Sequence, residues 1–168
     1  MALFVNGTLV GEDAWTPAPA DGDIPADRPV IVGKARYLAE REALASRNAP
    51  LGLRIEAGED LVGLEDDIGR FALVALRFPK YTDGRGYSIA RLLRERHGFT
   101  GELRATGDVL RDQIPYMRRC GFDSFEVSHE PTVRALVEGR VRGVTHHYQP
   151  AAIAEPAPGL RWRRVSAA

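Results

Sequence analysis

The sequence predicts an α/β fold of about five mostly parallel strands alternating with helices, behind a small N-terminal β-hairpin. Two observations carry this. Five short apolar runs, at residues 30–32, 51–55, 71–78, 102–105 and 124–127, start roughly 20 to 30 residues apart. Between them lie residues at helical spacing: Leu38, Arg41 and Leu44; Leu61, Leu64 and Ile68; Ile89, Leu92 and Leu93. Such alternation argues for helices packed on a mostly parallel sheet.

In chain order, Asn6-Gly7 between two apolar triplets marks a hairpin, because this pair readily takes the positive φ of a two-residue turn. Residues 16–29, rich in Pro, Ala, Asp and Gly without periodicity, read as a surface connection. The α/β domain spans 30–149. Run 71–78 is apolar on both alternating faces, as expected of a central strand with helices on both sides. Gly98 is placed to cap the third helix, and Pro115 breaks the pattern Val109, Leu110, Ile114, Met117. Pro131 opens a last helix with the stripe Val133, Leu136, Val137. The tail, 150–168, is either loose or an edge strand over 160–165. Five units of this kind make a flavodoxin-like open sheet or a partial barrel; we favour the open sheet.

A chain of 168 residues buries enough surface to fold as one domain, and its composition is that of a globular protein. Lys plus Arg and Asp plus Glu number 23 each, which argues against a general nucleic-acid binder. No apolar stretch approaches a membrane span and the N-terminus does not read as a signal peptide, so a cytoplasmic protein is expected. Cys120, the single cysteine, excludes an intrachain dithiol and reads as a buried hydrophobe. The histidines lack carboxylate or thiolate partners at ligand spacing, so no metal site is expected. Nucleotide and flavin fingerprints are absent, and the sequence leaves any cofactor unknown.

Ligands of parallel α/β folds bind beyond the carboxyl ends of the strands. The loop there with the most functional groups is 78–88, with Lys80, Thr82, Asp83, Gly84, Arg85 and Gly86. Lys80 and Arg85 suit an anion at a helix start, and the glycines allow a tight turn or close approach to a ligand. Asp83 and Asp108 are the candidate acid or base, with Arg111 completing a cluster on the neighbouring loop. The bland alternative has Asp83 or Ser88, and Asp108, as helix caps, Arg111 and Asp112 as a surface pair, and the other cations solvated.

Segments 78–88, 107–113 and 119–123 together resemble a bacterial family of unknown function that is labelled an oxidoreductase of sulfite reduction. That family is encoded near assimilatory sulfite reductase. The resemblance implies a role in sulfur assimilation and cysteine biosynthesis, with sulfite reductase as partner, and brings no catalytic residues. The expected function is an accessory protein of sulfite reduction. The alternative is an enzyme acting on a small anion at the 78–88 loop.

Overall fold

A computed structural model describes residues 1–19, 21–141 and 143. Strands β1 (Ala2–Val5), β2 (Thr8–Val10), β3 (Thr16–Pro17), β4 (Val30–Gly33), β5 (Leu51–Ile55), β6 (Leu73–Phe78), β7 (Glu102–Gly107) and β8 (Ser124–Val127) form one sheet, in the order β2-β1-β8-β7-β6-β5-β4-β3. The five apolar runs are the five adjacent parallel strands β4 to β8. The expected count and orientation are corrected at both edges. Thr16-Pro17, assigned to a connection, pairs parallel with β4, and the hairpin adds two antiparallel strands beyond β8. Its turn is as expected, with φ of 50° at Asn6 and 84° at Gly7.

Strand order also corrects the preference for a flavodoxin-like sheet. From β3 to β8 the order follows the sequence without reversal, and right-handed crossovers then put all the connecting helices on one side. Those helices are α1 (Lys34–Ala39), α2 (Arg41–Ala45), α3 (Arg85–Arg91), α4 (Ile114–Arg119) and α5 (Glu130–Val137). Their buried residues, among them Tyr37, Leu44, Ala90 and Met117, share one core with Val32, Leu53, Val74, Leu76 and Phe125 of the sheet. Run 71–78 is therefore not helix-covered on both faces.

The other face is shut by curvature. A flat eight-stranded sheet would hold β2 and β3 roughly 34 Å apart, yet the six residue steps from Val10 to Thr16 reach at most about 22 Å. The sheet is consequently curled and open, with residues 11–15 strapped across its concave face. Trp15 lies against Gly52, where a Cβ would stand 3.2 Å from the indole. Asp13 reaches Arg104 at 2.5 Å. Arg104, whose side chain is only 1% exposed, also binds Glu102 at 2.8 Å, and Ser124 Oγ donates to the same carboxylate at 2.6 Å. Burial opposes the charge on Arg104, but Asp13 and Glu102 outweigh it and hold the guanidinium pKa above its usual value.

Helix content departs from the spacing in four places. Leu61, Leu64 and Ile68 are buried as expected, but in turns ending in a 3₁₀ turn (Ile68–Arg70), because Gly63 sits at φ 82°. The third helix widens into a π-helix (Leu92–Arg96) before Gly98 caps it at φ 61°; this leaves Leu93 buried and Leu92 41% exposed. In α5, Pro131 opens the helix as expected, while Val137 is exposed and Thr132 and Ala135 fill the stripe. Pro115 opens α4 instead of interrupting a longer helix. The edge strand considered for 160–165 lies outside the described residues.

Removing one partner from a buried ion pair leaves a charge uncompensated. Arg104→Ala should therefore lower the unfolding free energy by about 3–5 kcal/mol, read from urea denaturation. A loss below about 1 kcal/mol would mean that the strap is held by Trp15 alone.

Candidate functional site

At the carboxyl end of β6 the chain turns at Phe78 into the 78–88 loop, and the neighbouring strand β7 grips it. Gly107 stands at φ 90°, and a Cβ there would fall 2.2 Å from the Phe78 carbonyl oxygen, so only glycine lets the two backbones approach. The Asp108 N–H donates to that carbonyl at 2.8 Å. Its carboxylate accepts the Tyr81 N–H at 2.8 Å. Gln113 completes the clamp, donating to the Tyr81 carbonyl at 2.5 Å and bonding the Tyr87 hydroxyl at 3.2 Å, while its amide oxygen accepts the Leu110 N–H. Tyr81 is thus fixed through its main chain with its side chain 54% exposed.

Asp83 organises the start of α3. Its carboxylate accepts the Arg85 N–H at 3.2 Å and takes the Arg85 guanidinium through two oxygens, at 2.9 and 2.6 Å. This paired hydrogen bonding, backed by the Arg85 N–H, lowers the Asp83 pKa to about 2. Arg85 in turn lies over Gly58, where a Cβ would meet the guanidinium at 2.7 Å. Gly86 packs on the Phe78 ring with 2.7 Å available to a Cβ, so its lack of a side chain serves packing. Gly84 has φ −89°, and a Cβ there would make an ordinary 3.7 Å contact with the Tyr87 ring, which any residue tolerates. Pro79, Lys80, Thr82, Asp83, Gly84 and Arg85 surround an open depression of about 490 Å³.

The structure brings Lys80, Thr82, Asp83, Arg85 and Asp108 to one end of the sheet, as the sequence suggested. Arg111 bonds Asp112 at 3.2 Å instead of the loop, and its N–H donates to Thr132 Oγ1. Asp108 is not the cap of the helix that follows, which starts only at Ile114. Among the described residues, the Lys80 and Thr82 side chains are exposed and have no hydrogen-bond partner. Sequence reasoning missed Gln113 and Tyr81. The signal was present, since Gln113 belongs to the segment that carries the family resemblance.

The third segment of that resemblance is structural. Arg94, on the π-helix, donates to the carbonyls of Phe99, Gly101 and Gly121 and to the Asp123 carboxylate, all within 3.0 Å. Gly121, at φ 107°, leaves room for the Arg94 stem, which a Cβ would meet at 2.5 Å. Burial pushes the Cys120 thiol up, consistent with a packed side chain and not a thiolate. No cluster of three potential metal ligands occurs among the described residues. No helix there is long and apolar enough to cross a membrane.

Residues 52–158 match the family described as "Bacterial protein of unknown function (DUF934)". The chain belongs to this family. The match takes in β5 from Gly52 and all of β6 to β8 with the loop, the clamp and the Arg94 anchor, whereas the hairpin and strap precede it. The family's description gives no activity and no partner. No curated protein and no solved structure matches the chain.

The Asp83 carboxylate contributes to stability above the unfolded pKa near 3.8 and loses that contribution as pH falls through about 2. Between pH 5 and 8 its charge is constant. Carboxyl NMR should give a midpoint of about 2, rising toward 3.8 in Arg85→Ala. A wild-type midpoint at or above 3.8 would show that the pair does not persist in solution.

Proposed function

We propose that the protein is an accessory component of assimilatory sulfite reduction that docks on sulfite reductase through its 78–88 loop. The observation that carries the docking part is the pinned Tyr81: main chain clamped by Asp108 and Gln113, side chain offered to solvent beside Lys80 and Thr82. A rigid exposed tyrosine loses little entropy on contact, and tyrosine is enriched among residues that dominate interface energies. The cations beside it suit an acidic partner surface. The pathway part rests on the resemblance of segments 78–88, 107–113 and 119–123 to a family labelled for sulfite reduction.

The second reading is an enzyme, an oxidoreductase by the label of the family the three segments resemble, acting on a small anion in the depression beside Lys80 and Arg85. That depression is its specific support. Its weakness lies in the carboxylates. Asp83, with a pKa of about 2, is a poor base and no acid at neutral pH, and the Asp108 carboxylate already accepts the Tyr81 N–H.

Purified sulfite reductase should bind the immobilised protein with micromolar affinity, and Tyr81→Ala or Lys80→Glu should weaken binding at least about tenfold without changing Tm. No binding up to roughly 100 μM would refute the docking reading. Loss of a ligand-induced Tm shift on sulfite addition in Lys80→Ala, with no binding to the reductase, would favour the second.

A further inference from the structure

A stable protein interface takes roughly 20–30 residues from each side, so the 78–88 loop cannot form one alone and the contact must run on past it. Two surfaces flank the loop. On one side lies the segment after β5, whose Gly58 sits under the Arg85 guanidinium. That segment carries the carboxylates of Glu59, Asp60, Glu65 and Asp66, against Lys34, which bonds Asp60 at 2.7 Å. On the other side lies α4, joined to the loop by Gln113, the residue just before the helix, which bonds both Tyr81 and Tyr87.

The α4 side continues the character of the loop. Tyr116 is 39% exposed, yet its ring already has two partners: the Tyr87 ring centre at 4.9 Å and the Arg119 guanidinium at 5.1 Å. Both contacts restrict the ring in the free protein, so it loses little entropy when a partner covers it. Tyr81 and Tyr116 are thus two exposed aromatic side chains on one connected framework, Tyr81 through its main chain and Tyr116 through its ring. Charge separates the two flanks further. Among the described residues, Arg91 and Arg111 are matched by Glu95 and Asp112, at 2.6 and 3.2 Å, whereas Arg119 has no carboxylate within salt-bridge distance. The α4 flank is therefore net positive, as the loop is at Lys80, and the flank after β5 is net negative. An acidic surface that meets Lys80 is attracted by the first and repelled by the second.

We propose that the docking surface runs from Tyr81 past Tyr87 to Tyr116 and Arg119 on α4, with Tyr116 as its second anchor, and turns away from the acidic segment after β5. The face it fits is acidic and has a recess for an aromatic ring. This inference rests on the docking reading and gives that surface its direction and its extent.

The test is binding of purified sulfite reductase to the immobilised full chain. Tyr116→Ala should weaken binding about tenfold, and Arg119→Glu by a similar factor. Arg119→Glu removes no core side chain and supplies the readout should Tyr116→Ala fail to fold. Asp66→Lys, on the opposite flank, should leave affinity unchanged or raise it. Full affinity in folded forms of both α4 variants, with Tyr81→Ala still weakening binding, would overturn the extension onto α4 and leave the docking reading standing. A tenfold loss in Asp66→Lys would overturn it as well, by putting the partner on the acidic flank. Absence of binding by the wild-type chain would overturn both.

Discussion

The peptide groups of Tyr81 are held from two directions, by the Asp108 carboxylate on the N–H and the Gln113 amide on the carbonyl, and the 78–88 loop depends on that clamp. It works only because Gly107 lets β7 approach the Phe78 carbonyl at a distance no Cβ would permit. Once the loop is fixed there, Asp83 and Arg85 set the first turn of α3, and Gly86 seats that turn on the Phe78 ring. What remains for solvent is Tyr81, Lys80 and Thr82. The Asp83 and Asp108 carboxylates beside them are committed to holding the loop, which is why docking is the reading proposed for this surface.

The same economy of polar groups runs through the sheet. Sequential strand order leaves one face without helices, and curvature with the short strap closes it over Arg104, Asp13, Glu102 and Ser124. Arg94 performs the equivalent task on the segments that lead into β7 and β8, gathering three carbonyls and Asp123. Polar groups buried in a protein stay in place because leaving them unpaired is costly.

Much of this was legible in the sequence. The five central strands announce themselves as apolar runs, and the hairpin as Asn6-Gly7, because each needs only local chemistry. Strand order is not local. It follows from which side each crossover takes and from how far residues 11–15 reach, neither of which leaves a periodic trace. Helical spacing found the buried positions better than the helices themselves: Leu61, Leu64 and Ile68 are core residues in turns. Density of polar groups located the 78–88 loop. It did not show that Asp108 would hold the Tyr81 N–H in place of a helix start, since a carboxylate in a turn serves whichever N–H the neighbouring strand brings near, and that neighbour is fixed only by the fold.

The most direct test of the central claim is amide hydrogen exchange across residues 79–87 of the free protein. A clamped loop predicts that the Tyr81 amide, bonded to Asp108, exchanges much more slowly than an open chain, and that Asp108→Ala restores fast exchange at Tyr81 while the amides of β6 stay protected. Fast exchange at Tyr81 in the wild-type protein, equal to that of an unstructured peptide, would contradict it and remove the preformed surface on which the docking reading stands.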